Sequence, residues 1–154
     1  MSGFWRMALA AALGSAMGVS PAKAADGPAK ATIDSGVLVG TQRGDVRSFK
    51  GIPYVAAPLG PLRWAPPGPA TAWKGERAAD RYGSICPQPV NADGSPNLGG
   101  AFGPTSEDCL FLNVWAPAGA KRAPVMVWLH GGGNSLGAGS LGAYDGSAFV
   151  RDGV

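Results

Sequence analysis

Along residues 31–54, "ATIDSGVLVGTQRGDVRSFKGIPY", apolar and β-branched positions alternate with polar ones, and glycines punctuate the run. A period of two, interrupted by turn residues, predicts short antiparallel strands joined by tight turns. The pattern breaks at residues 55–69, "VAAPLGPLRWAPPGP", where closely spaced prolines exclude both helix and central strand. That stretch is expected to cross the surface in an ordered way, since Trp64 and Trp73 would be unusual in a disordered linker. Residues 110–117, "LFLNVWAP", read as a strand with large residues on both faces. After the polar turn "KRAP", residues 125–130, "VMVWLH", are almost uniformly apolar, which predicts a strand buried on both faces. "YDGSAFVRDG" predicts a short helix, with Asp145 or Ser147 as N-cap and Gly153 near its end.

Two segments fall outside this pattern. The first is residues 1–24, with Arg6, an apolar stretch from Met7 to Val19, and Ala22-Lys23-Ala24. A basic start, a short apolar centre and small residues at the end predict a secretory signal peptide cleaved after Ala24, leaving residues 25–154 as the exported part. Its apolar stretch is too short to cross a bilayer comfortably, so no stable membrane insertion is expected once it is removed. The second is residues 86–109, a long loop rich in glycine, proline and asparagine whose ends are Cys86 and Cys109. In an oxidising compartment, periplasmic or extracellular, two cysteines are expected to form one disulfide, tying the loop into a flap.

Composition narrows the function. Lys and Arg number 13 and Asp and Glu 10, for a net charge of +3. Without Arg6 and Lys23 the balance is 11 to 10, or +1, which gives nucleic acid no electrostatic hold. Two cysteines and a single distant histidine cannot close a zinc shell, so neither metal nor cofactor is expected. The 25 glycines and 14 prolines point to a loop-rich chain.

Candidate chemistry sits where the apolar run ends, in His130-Gly131-Gly132-Gly133. Ligands of open α/β sheets bind beyond the carboxyl ends of the strands. Glycines there allow sharp turns and leave room for close approach, and consecutive N–H groups can cradle an anion. Aimed at the oxyanion of a tetrahedral intermediate, one such donor lowers the barrier by about 3–4 kcal/mol. The letters HGGG also mark the oxyanion-hole loop of lipases and esterases.

Three stretches in order, "FKGIPYVAAPLGPLRW" (residues 49–64), "SEDCLFLNVWAP" (106–117) and "PVMVWLHGGG" (124–133), resemble the N-terminal part of the type-B carboxylesterase family, which includes para-nitrobenzyl-type esterases and cholinesterases. The resemblance implies the N-terminal portion of an α/β-hydrolase fold, with antiparallel strands leading into the central sheet, and hydrolysis of small-molecule carboxylic esters by a serine esterase. It places the oxyanion-hole amides on Gly132 and Gly133, with His130 and Gly131 supporting their loop. It matches Cys86 and Cys109 to the family's first disulfide, and Arg63 and Glu107 to a buried ion pair. Asn134 stands where many relatives carry an aromatic residue. The 86–109 loop holds one aromatic, Phe102, and no tryptophan, which disfavours a choline-type substrate.

His130 is the chain's only histidine, and its place in the resembling motif favours a bracing role over that of catalytic base. "LGAGS" (residues 136–140) and "DGSAF" only approximate the G-x-S-x-G of a nucleophile elbow, and neither Ser135 nor Ser140 is assigned a catalytic role. The chain is therefore expected to be an N-terminal fragment that supplies the oxyanion loop without a triad and is inactive alone. The competing expectation is a catalytically dead α/β-hydrolase-like binding or adhesion domain, which would have no need of an intact Gly132-Gly133 pair.

Overall fold

The computed structural model describes residues 24–153. The expected leader lies outside the described residues except for Ala24. Three antiparallel strands form here, β1 (Gly27–Ile33), β2 (Gly36–Arg43) and β3 (Val46–Pro53), and β1 begins four residues ahead of the alternating run because Gly27–Lys30 also pair with β2. Both connections are two-residue turns, closed by the Ile33–Gly36 and Arg43–Val46 pairs. Such turns suit the right-handed twist of a hairpin and fix its register.

β3 stays with β2 only from Val46 to Ser48. It then runs against β5 (Phe111–Pro117), with an irregularity between Phe49 and Ile52. A three-residue strand, β4 (Glu76–Ala78), pairs parallel to β2 over Val37–Val39 and fills the edge that β3 vacates. Ala79 completes the junction, donating its N–H to the Val39 carbonyl and accepting from Lys50 N–H, each at 2.8 Å.

The inward-facing positions of these strands make the main core. Leu38, Phe49, Ile52, Ala29 and Ala79 are buried together, with Ala31 and Trp73 packed against them. The Trp73 indole N–H donates to the Val37 carbonyl at 3.0 Å, so the half-buried ring keeps its polar atom satisfied. Of the two tryptophans expected to order the proline-rich crossing, Trp73 lies beyond it and packs on the sheet core. Trp64 is 93% exposed, and the crossing is ordered instead by a single 3-10 turn (Gly60–Leu62) and by the Ala56 N–H bond to the Gly68 carbonyl.

Residues 125–130 depart from the expected buried strand. No ladder forms there, and Val125, Val127 and Leu129 are about four-fifths exposed. Exposure still alternates, with Met126 and Trp128 more covered and Trp128 tilted against Tyr144 at 5.6 Å between ring centroids. The side-chain pattern of a strand is present, but among the described residues no neighbour supplies the backbone partners that would make it one.

The C-terminal helix α1 (Ser147–Arg151) forms where expected. Its N-cap is Gly146, and Asp145 accepts the Ser147 N–H at 2.9 Å, satisfying a first-turn donor from one residue further back. Among the described residues, no helix is long and apolar enough to cross a membrane.

Candidate functional site

The glycine loop begins as the apolar segment ends. Gly132, Gly133 and Asn134 all take positive φ, at 131°, 61° and 58°. A Cβ on Gly132 would lie 1.8 Å from the Leu136 carbonyl oxygen, so only glycine fits this position without moving the backbone. The loop closes on itself through the Gly132 carbonyl, which accepts from Ser135 N–H at 3.1 Å and Leu136 N–H at 3.2 Å. Among the described residues, the Gly132 and Gly133 amides donate to no protein acceptor, and no Cβ position at Gly133 meets a neighbour within 4 Å. Two adjacent donors are thus left open on a turn whose carbonyl is already committed.

His130 is turned into this loop. Its Nδ1 lies 2.8 Å from the Gly131 carbonyl, and the ring lines the space beside Gly137. In the Nδ1–H tautomer the ring donates to that carbonyl.

Ser135 requires a correction to the sequence reading. Gly133-Asn134-Ser135-Leu136-Gly137 has the letters of G-x-S-x-G in full. A nucleophile elbow is a strained strand-to-helix turn that exposes the serine hydroxyl. Here positive φ falls on Gly132, Gly133, Asn134 and Gly137 rather than on Ser135, and Ser135 Oγ donates to the Gly132 carbonyl at 3.1 Å. The match is one of letters, and Ser135 is part of the loop's own closure. Ser140 Oγ is buried without a hydrogen-bond partner among the described residues.

The loop rests on the segment between the cysteines. Cys86 and Cys109 are disulfide-bonded, with Cα atoms 5.0 Å apart. Ile85, just before Cys86, bridges to Thr105 inside the ring, and Ile85 and Ala101 are buried with Ala138 from the glycine-rich segment, flanked by Leu98 and Leu141. Gln88 makes two bonds to one residue of the loop: its Nε2 donates to the Gly137 carbonyl at 2.5 Å, and its Oε1 accepts the Gly137 N–H at 2.7 Å. Asn113 on β5 does similar work more weakly, donating to the Gly139 carbonyl at 3.4 Å while accepting from Gly51 N–H at 3.0 Å. Sequence reasoning passed over Gln88, and a lone glutamine inside a glycine- and proline-rich loop carries no periodic mark.

Arg63 and Glu107 do meet, with Nη2 and Oε1 2.7 Å apart. Their side chains are 50% and 42% exposed, so the pair is a half-exposed surface contact and not a buried one. Phe102 is 92% exposed and lines nothing.

A small polar and aromatic cluster lies under α1. Lys50 Nζ sits 4.5 Å from the Tyr82 ring centre and 5.8 Å from that of Trp115. Burial and the nearby Asp145 charge push the Tyr82 phenol above its ordinary value. Burial alone would raise Asp145, but bonds from Ser147 together with Lys50 and Trp115 outweigh it and hold the carboxyl below its ordinary value. Among the described residues, no three His, Cys, Asp or Glu side chains cluster as metal ligands would. A concavity of about 290 Å³ lies on the sheet face, lined by Ile33, Phe49, Val114 and their neighbours, and shares no residue with the glycine loop.

The fumonisin B1 esterase of Sphingopyxis macrogoltabida is 45% identical over 124 residues, covering 78% of this chain and 22% of that protein. The para-nitrobenzyl esterase of Bacillus subtilis is 44% identical over 124 residues, covering 79% of this chain and 25% of the relative. A solved PNB esterase superposes with a TM-score of 0.70 at 40% identity, over 79% of this chain and 25% of its own. The chain thus spans about a quarter of the length of the relatives it matches, and it takes the fold of the N-terminal part of an α/β-hydrolase. Residues 28–154 match the model of the carboxylesterase family, and the chain belongs to that family.

Proposed function

We propose that this chain supplies the oxyanion-hole loop of an exported serine esterase. The observation that carries the reading is the pair of open amides on Gly132 and Gly133, held on a turn closed through the Gly132 carbonyl. A serine outside residues 25–154 attacks the ester carbonyl, and its proton passes to a histidine base. The carbonyl oxygen becomes an oxyanion, which accepts hydrogen bonds from the two glycine amides. Collapse expels the alcohol and leaves an acyl-enzyme, and water repeats the cycle to release the acid. Family membership supports ester hydrolysis as the reaction. The 25–154 polypeptide alone holds one histidine, engaged with the Gly131 carbonyl, and is inactive on this reading.

The test uses the full-length gene product that contains this chain. Wild type should turn over p-nitrophenyl esters and lose that activity on covalent labelling by a fluorophosphonate, which reports an activated serine. Gly132→Ala should lower kcat by about 10²–10³-fold with KM little changed, as expected for a donor used in the transition state. Turnover that survives complete labelling would remove the serine mechanism. Unchanged kcat in Gly132→Ala would remove these amides, and absence of all turnover would leave the binding-domain reading.

A further inference from the structure

Gln88 lies two residues beyond Cys86, inside the disulfide ring, and grips the backbone of Gly137 with both ends of its carboxamide. This is the bonding pattern of one residue in a β-ladder, made here by a side chain across a separation of 49 residues. Gly137 is not a remote part of the loop. At φ 102°, its Cβ position would fall 2.7 Å from the Gly131 carbonyl oxygen and 3.1 Å from His130 Nδ1. Its neighbour Leu136 presents a carbonyl 1.8 Å from where a Cβ of Gly132 would be. The outgoing limb of the loop is therefore packed backbone against backbone on the limb that carries the open amides.

Apolar contact alone holds this arrangement loosely. Ala138 contributes a single methyl group to the cluster with Ile85 and Ala101, flanked by the half-buried Leu98 and Leu141, and the Leu136 side chain lies beside Gly99 and Gly132. A two-point hydrogen bond fixes both position and rotation, which a methyl contact does not.

We propose that Gln88 is a positioning residue for the oxyanion loop: by fixing Gly137 it fixes the adjoining Gly132 limb, and so the aim of the Gly132 amide. The inference rests on the reading of Gly132 and Gly133 as oxyanion donors. Gln88 touches no reacting atom. Its contribution is geometric, and an oxyanion donor displaced by about 1 Å can cost as much as 10²-fold in rate.

The chemistry of the clamp supplies a specific test. In Gln88→Glu, an ionised carboxylate still accepts the Gly137 N–H but sets a negative oxygen against the Gly137 carbonyl. Once protonated, the carboxyl donates and accepts as the carboxamide does. Wild type, Gln88→Ala and Gln88→Glu are compared in the full-length gene product, with p-nitrophenyl acetate turnover and amide hydrogen exchange as readouts. Gln88→Ala should lose about 10- to 100-fold in kcat with KM within about twofold. Exchange should quicken across residues 131–137 and stay unchanged in β1–β3. The Gln88→Glu to wild-type kcat ratio should rise as pH falls, a recovery that a merely structural loss would not show. Exchange across 131–137 that stays at the wild-type rate in Gln88→Ala would overturn the inference, whether or not the wild type turns over ester. So would a pH-independent Gln88→Glu ratio in an active enzyme. An inactive wild type with quickened loop exchange in Gln88→Ala would instead sink the esterase reading and keep the clamp.

Discussion

The N-terminal sheet and the glycine loop are held in place by opposite means. In the sheet, β1, β2, β3 and β5 are joined strand to strand by backbone ladders, and large side chains such as Leu38, Phe49 and Ile52 fill the interior. In the loop region nothing repeats. A disulfide, two carboxamides and a cluster of only Ile85, Ala101 and Ala138 do the holding, and many of the glycines take positive φ. The sheet is stabilised by burial, which is tolerant of detail. The loop is stabilised by a few directed contacts, each of which matters singly, as the proposed oxyanion role would require.

Truncating a core residue should separate the two regions most sharply. Phe49→Ala removes a buried ring and should cost about 3–5 kcal/mol in urea unfolding of the full-length gene product. A cost under 1 kcal/mol would mean that the sheet core is not where its stability resides.

Next in size is the disulfide. Replacing both Cys86 and Cys109 with serine opens a ring of sequence separation 23 and should cost about 3 kcal/mol on the chain-entropy model. The loss should concentrate in the loop region, seen as faster amide exchange over residues 131–141 with β1–β3 still protected. Equal quickening in both regions would merge them into one cooperative unit.

Arg63→Ala should cost less than about 1 kcal/mol, because the pair with Glu107 is half-exposed and screened by salt. A loss above 2 kcal/mol would restore the buried pair that the family resemblance implied.

The smallest effect is a titration. Asp145 ionises more readily in the folded protein than its ordinary value of 3.8, chiefly because the Ser147, Lys50 and Trp115 interactions exceed the opposing effect of burial. A depressed carboxylate adds stability above the unfolded value and loses it as pH falls through the folded one. Asp145→Asn should therefore melt below wild type at neutral pH, with the gap closing below about pH 4. A gap independent of pH would assign the loss to packing.

The same contrast explains what the sequence made legible. β2 and β3 follow from period-two patterning because burial on one face imposes that period. β5 follows from its large residues, whereas the first half of β1, Gly27–Lys30, lies ahead of the patterned run and carried no strand signal. The ends of the disulfide and the short helix were also readable, from cysteine count and from turn residues. Residues 125–130 were expected as a ladder because apolarity predicts coverage, but it says nothing about backbone partners. β4 was invisible, since Glu76, Arg77 and Ala78 show no strand propensity and pair with β2 only because β3 leaves an edge open. In the site, HGGG announced the open amides. The grip of Gln88 on Gly137 left no trace, because a contact across 49 residues has no local pattern. The literal G-x-S-x-G of residues 133–137 carries the opposite lesson: matching letters do not make an elbow when Ser135 lacks the strained backbone.

That long-range clamp has a kinetic side. The hairpins of the sheet close over two-residue turns, so their loop-closure cost is small and they can form early. The Gln88–Gly137 contact must wait until both segments are brought together, and it adds to the mean sequence separation that slows folding. A chain emerging in order would complete these hairpins before it assembles the glycine loop. Order in the glycine loop would then trail the acquisition of native sheet, by an interval to which the closing of Gln88 on Gly137 contributes.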